Sequence, residues 1–272
     1  DVKFIYKNID NIIEGKLNFI NSSNSYTIDF DKFIYDRNNL KLGFIYDDDI
    51  IKLNIYSGNL DLNLFIENNF NTNSNIDILV NANLEKLFIK ASTIDNASIK
   101  YENLSNKKAL SINGKYYSDE SIIFNYNNLN TKDVLSYKFK ATNAGKFFEL
   151  FDYKSEIKDG ILSSEGFIGG LDNDNDIMGT ISIDDFKVMK APLFAELLLA
   201  ASLTGLFELL NNEGIEFEQF DAQFTGKDNI FSVSKSRAYG FSLGITAEGE
   251  INNKEKNIKL FGSIIPAYKI NS

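Results

Sequence analysis

A period of two, repeated along most of the chain, restricts the fold more than any other feature. Leu60, Leu62, Leu64 and Ile66 share one parity with Asp61 and Asn63 on the other, and Leu135, Tyr137 and Phe139 alternate with Ser136, Lys138 and Lys140. Successive side chains of a strand point to opposite faces, so these runs predict half-buried β-strands. Clusters such as Ser22-Ser23-Asn24, Asp47-Asp48-Asp49 and Asn71-Thr72-Asn73-Ser74-Asn75 separate the runs and read as turns. The abundance of Ile, Phe and Tyr supports the same reading. Runs that follow one another at short spacing, without helical segments between them, predict antiparallel neighbours and a long meandering sheet.

Punctuation divides the chain into segments 1–142 and 143–272. Only five of the 17 glycines (Gly15, Gly43, Gly58, Gly114, Gly145) precede residue 150, and both prolines, Pro192 and Pro266, come late. The seam is a short helical pattern from Asn143 to Phe151, with Asn143 as its N-cap. Beyond it Ile181 and Ile183 share one parity and Phe186 and Val188 the other, which predicts an inserted residue, a bulge, at Asp184-Asp185. The same switch separates Ile215 and Phe217 from Phe220, Ala222 and Phe224. Phe241, Leu243, Ile245 and Ala247 alternate strictly, and a last strand is expected near Ile258 to Ile264. One long helix is expected from Pro192 to Leu210, opened by a proline in the first turn and closed by Asn211, Asn212 and Gly214. It is apolar on nearly every side from Leu197 to Phe207, so something must cover it. Glu196 and Glu208 would each cost a few kcal/mol at membrane depth, which favours packing on the sheet over lying in a membrane surface.

Composition removes several chemistries. With no His and no Cys there is no Ser-His-Asp or Cys-His catalysis, no disulfide and no His/Cys metal site. A net charge of −10 argues against binding a phosphate backbone, so nucleic acid is not expected as a partner. No run approaches the ~20 apolar residues of a spanning helix, and the start at Asp1 reads as that of a piece of a longer protein. Gly240-Phe241-Ser242-Leu243-Gly244 matches the nucleophile elbow of serine hydrolases, but no histidine base exists and the flanking alternation reads as strand. Asp172-Asn173-Asp174-Asn175-Asp176 resembles the start of a calcium loop in the wrong register: counted from Asp172, the sixth and twelfth positions are Ile177 and Ile183. It reads as a solvated turn. Asn96-Ala97-Ser98 and Asn103-Leu104-Ser105 match the glycosylation acceptor, as chance would produce in so Asn-rich a chain. No enzyme activity, cofactor or metal is expected.

From Gly166 to Ser272 the order of several patterns is specific. Ile183-Asp184-Asp185-Phe186-Lys187-Val188, Ala191-Pro192-Leu193, Ala201-Ser202-Leu203-Thr204-Gly205-Leu206, Gly214-Ile215-Glu216-Phe217, Gly249-Glu250-Ile251 and Gly262-Ser263-Ile264-Ile265-Pro266-Ala267-Tyr268 follow one another as they do in AsmA-like proteins. The region resembles the C-terminal part of that family, the YhdP/TamB superfamily of bridge-like lipid transport proteins. The resemblance implies a long curled β-sheet with an apolar groove. It also implies a place in the periplasm of Gram-negative bacteria, tethered to the inner membrane through a segment absent from this chain, and carriage of phospholipid toward the outer membrane. Candidate groove residues are then Leu60, Leu62, Leu64, Ile66, Leu135, Tyr137, Phe139, Ile181, Ile183, Phe241, Leu243 and Ile245. On the long helix, Leu198 and Leu206 are expected to pack across the groove mouth, with Phe194 and Leu197 available to a membrane surface or a partner. Phospholipid, a membrane surface and adjoining parts of the same longer chain are the expected partners. The alternative is a β-rich structural or adhesive surface protein whose interior is filled by its own side chains.

Overall fold

The computed structural model describes residues 2–9, 11–20, 25–47, 49–63, 77–90, 92–117, 119–128, 134–150, 156–169 and 176–266. The chain is mainly β and forms two compact units, Asp1–Thr131 and Lys132–Ser272. The division precedes the helical seam at Asn143, because the strand before that seam pairs with the strand after it.

The first unit holds β1 (Val2–Lys7), β2 (Ile12–Ile20), β3 (Ser25–Tyr35), β4 (Asn38–Asp47), β5 (Ile50–Asp61), β6 (Asp77–Ile89), β7 (Ser92–Leu104), β8 (Lys107–Tyr116) and β9 (Glu120–Asn128). Sheet order follows chain order. All neighbours are antiparallel except β5 and β6, which run parallel with Ile55 opposite Ala82 and Leu60 opposite Leu87. A parallel pair needs a crossover, which leaves the sheet after Asp61. The strand expected over residues 60–66 ends there. Leu60 is buried, but so is its neighbour Asp61 at 3% exposure, which plain alternation does not allow. Three contacts explain this. The Asp61 carboxylate meets the Arg37 guanidinium at 3.3 Å, its backbone N–H donates to Asn38 Oδ1 at 2.9 Å, and its Oδ1 accepts from the Asn63 N–H at 2.9 Å. The last of these curls the chain into a turn. Arg37 also lies 4.3 Å above the Phe88 ring, so the ion pair is backed by a cation–π contact.

The second unit holds β10 (Leu135–Ala141), α1 (Ala144–Glu149), β11 (Ile157–Ile168), β12 (Ile177–Val188), α2 (Pro192–Ala200), α3 (Thr204–Asn212), β13 (Ile215–Lys227), β14 (Ile230–Tyr239), β15 (Leu243–Asn252) and β16 (Asn257–Pro266). Its seven strands are antiparallel throughout. The three helices lie at one end, where β10 and β12 finish and β11 and β13 begin. Asn143 caps α1 as expected, its Oδ1 accepting from the Lys146 N–H at 3.0 Å.

The single helix expected over 192–210 is two. Ser202 adopts φ +60°, its N–H donates to Leu199 O at 2.9 Å, and the Leu203 N–H donates to Leu198 O at 2.8 Å. That pair of bonds is a Schellman stop. Leu203 then accepts from the Phe207 N–H at 3.0 Å and so starts α3. The apolar girth of the sequence is thereby shared between two short helices that pack on each other.

The bulge expected at Asp184-Asp185 is absent: β12 keeps one register with β11 and with β13 along its whole length. The parity switch is made instead by Asp185 at φ +52°, with Asp159 and Gly160 of β11 at +58° and +82° beside it. Adjacent strands bend at the same level, so no relative slip is needed. True register shifts occur elsewhere, between Asp221 and Gln223 of β13 against β14 and between Val233 and Ser236 of β14 against β15. These add to the curl of the sheet.

Candidate functional site

In an antiparallel or parallel ladder, residues directly opposite one another share a face, so the register alone defines what each face presents. Across the nine strands of the first unit one row reads Phe4, Gly15, Phe30, Leu42, Ile55, Ala82, Ile99, Ile112, Phe124. The row one residue away reads Lys3, Lys16, Asp29, Gly43, Asn54, Asn81, Lys100, Ser111, Asn125. Along these rows one face is apolar and the other polar. The second unit repeats the arrangement: Ala141, Leu162, Ile183, Phe220, Ala238, Ile245, Ile264 against Lys140, Ser163, Ser182, Asp221, Arg237, Thr246, Ser263.

The apolar faces are graded in burial. In the first unit Leu87 and Tyr116 are fully buried, whereas Leu53, Val80, Tyr101, Leu110 and Tyr126 are half-exposed. Tyr101 and Tyr126 lie in one row on either side of Leu110. Burial against apolar neighbours raises the pKa of both phenols, that of Tyr126 to about 12, with the charge of Tyr101 adding to it. A phenol whose folded pKa exceeds its unfolded value of 10 keeps its proton longer when folded, so folding stability falls as pH rises from 10 toward 12. Ultraviolet titration is expected to show a delayed tyrosine component near pH 12. Tyr126→Phe should remove that component, and its persistence in the variant would refute the assignment.

The residues read from the sequence fall as follows. Tyr137 is buried at 6%, and its hydroxyl lies 3.2 Å from Ser164 Oγ, which donates to Thr180 O at 2.8 Å. Leu135 and Phe139 are half-buried on the same face, with the Phe139 ring 4.7 Å from Phe147 of α1. Ile181 and Ile183 continue that face on β12, and Leu243 and Ile245 on β15. Leu60 belongs to the apolar face of the first unit, Leu62 lies past the strand end, and Leu64 and Ile66 lie outside the described residues. Phe241 does not belong: it is 90% exposed in the turn between β14 and β15, which the Gly240 N–H closes by donating to Leu243 O at 3.0 Å. The Gly240–Gly244 motif is therefore a hairpin turn and not continuous strand.

Leu198 of α2 is fully buried and Leu206 of α3 half-buried. Phe194, expected to be free for a membrane, instead turns toward the sheet with its ring 6.5 Å from Phe217. The Leu197 side chain is outside the described set. Beneath Phe194 the apolar face carries an open pocket of about 280 Å³ lined by residues of five strands and α2, among them Ile183, Phe186, Phe217, Phe220, Ile245 and Ala247. The opposite face carries an open recess of about 520 Å³ bordered by Ser136, Lys138, Glu165, Phe167, Met178 and Gln223.

The sequence reading missed most of the apolar row in the first unit, including Phe30, Leu42, Ile55, Ile99 and Ile112. The signal was present, since Leu40, Leu42, Phe44 and Tyr46 alternate as regularly as the runs chosen. Of the calcium-like segment only Asp176 is described; it is 2% exposed, and its carbonyl accepts the Gly169 N–H at 2.7 Å. Among the described residues no three acidic side chains gather as a metal site, and no helix is long and apolar enough to cross a membrane. No family model, curated protein or solved structure matches the chain.

Proposed function

We propose that the chain is a segment of an AsmA-like, bridge-like phospholipid carrier of the Gram-negative envelope, holding lipid tails along its apolar sheet face in the periplasm. The observation that carries this reading is the pair of unbroken apolar rows, each backed by a polar row one residue away. Such a face suits a solute that is long, apolar and indifferent to hydrogen bonding. Each methylene transferred from water onto it contributes about 0.8 kcal/mol, so a tail spanning a few strands is held without any specific polar contact. The half-exposure of Val80, Leu110 and Tyr126 leaves apolar surface open, which supports this reading over an interior filled by the protein's own side chains. The chain's net charge of −10 repels anionic head groups, leaving its apolar surface as the contact with lipid.

Organic extraction of the protein purified without added lipid, followed by mass spectrometry, is expected to release diacyl phospholipid in roughly molar amount. A lipid-free extract, together with failure to take up a fluorescent phospholipid from vesicles, would remove the proposal.

A further inference from the structure

The pocket beneath Phe194 differs from the rest of the apolar face in its boundary. Ordinary alternation puts every second residue on a face, but the left-handed Asp185 lets both Ile183 and Phe186 line this space, and their partners on β13, Phe220 and Phe217, line it as well. Phe186 and Phe217 stack at 5.2 Å and 12°, forming a wall on the side of the helices. On β14 and β15 the floor is made of Ser236, Ala238 and Ala247, small side chains where the neighbouring strands carry large ones. Small residues on the floor and aromatic ones at wall and roof leave about 280 Å³ unfilled. The one polar side chain in the lining, Ser236, donates its hydroxyl to the Ala247 carbonyl. The pocket therefore offers no free partner to a head group and little to water, which needs two to four polar contacts.

We propose, building on the lipid-carrying function, that this pocket seats the methyl end of one unbranched acyl chain, making the helical end of the second unit a blind stop. An engineered apolar cavity of roughly 150 Å³ takes up benzene, so this one has room for roughly a dozen carbons. That suits the distal half of a single fatty acyl tail and excludes a sterol ring system or a polar head. A tail so placed points its glycerol end away from the helices, so the site fixes the polarity with which lipid lies on the sheet.

The test uses the whole chain and two phosphatidylethanolamines, one with a photoreactive diazirine on the terminal carbons of an acyl chain and the other with it beside the ester. After illumination, peptide mapping is expected to place the terminal label on Phe194, Phe220 or Ile245 and the ester-proximal label elsewhere on the apolar face. Ala247→Phe, which fills the floor, should cut terminal labelling there about tenfold, equivalent to about 1.4 kcal/mol of lost chain binding. If that variant does not fold, Ala238→Leu serves the same purpose, judged by an unchanged circular dichroism melt. Terminal and ester-proximal labels distributed alike over the apolar face, or undiminished labelling in the folded variant, would overturn the blind stop while leaving the lipid-carrying function standing. Labelling of no apolar-face residue by either probe would remove both.

Discussion

Leu87→Asp is expected to abolish cooperative folding of the first unit, whereas Val80→Asp, on the same strand and face, is expected to leave it folded but unable to hold lipid. Leu87 is fully buried and sits opposite Leu60 and Ile94 on either side. Truncating such a side chain costs about 2–5 kcal/mol, and an unpaired buried carboxylate adds several more, a sum comparable to the roughly 5–15 kcal/mol total stability of a typical domain. Val80 is half-exposed between Leu53 and Tyr101, so a carboxylate there keeps water. It breaks the apolar row without burying a charge, and tail binding should fall by the worth of several methylenes, about 0.8 kcal/mol each. Thermal melts and phospholipid uptake on the two variants separate the outcomes. Equal unfolding by both would show that the face is a closed core, and the groove would lose its basis.

Gly58→Val is expected to be among the most destabilising single changes outside the core. Gly58 lies within β5 at φ +117°, and a Cβ there would stand 2.0 Å from the Asn39 carbonyl oxygen of β4. Neither the dihedral nor the gap admits a side chain, so the strand must shift against its partner, and a loss of roughly 3 kcal/mol or more is expected. Gly205 is the contrast. It lies in α3 with nothing within 4 Å of the added atom, and Gly205→Ala should stabilise by about 0.5–1 kcal/mol through helix propensity alone. Urea denaturation of both variants checks the pair, and a Gly58 variant as stable as the parent would mean that β4 and β5 do not pair as described.

Much of this fold was legible because alternation reports directly on a sheet with one apolar and one polar face. The runs at Tyr137 and Phe139, Ile181 and Ile183, and Leu243 and Ile245 lie in strands and share one face of the second unit. What escaped was fixed by contacts distant in sequence or by local turns that interrupt the alternation. Asp61 is buried only because Arg37 and Asn38 meet it from across the sheet. The break at Ser202 puts a non-glycine residue in the left-handed conformation that glycine usually fills, so no sequence signal marked it. Phe241 has the right parity and the wrong place, because a turn closed by Gly240 interrupts the count. The switch at Asp185 was visible as a parity change, but an inserted residue and a coordinated bend of neighbouring strands leave the same trace in one sequence.

Within each unit, chain neighbours are sheet neighbours, and this has a consequence for how such a molecule changes length. Stability in this topology is close to a sum of hairpin terms and nearest-neighbour couplings, as in a one-dimensional Ising chain. Adding or deleting one antiparallel hairpin then alters two couplings and leaves every other contact in place, so the array can be lengthened by duplication without a new folding problem. The parallel junction of β5 and β6 is the one link in the first unit that does not obey this rule. Its formation must wait for the intervening segment to close a loop, which makes it the natural boundary between separately nucleating blocks on either side.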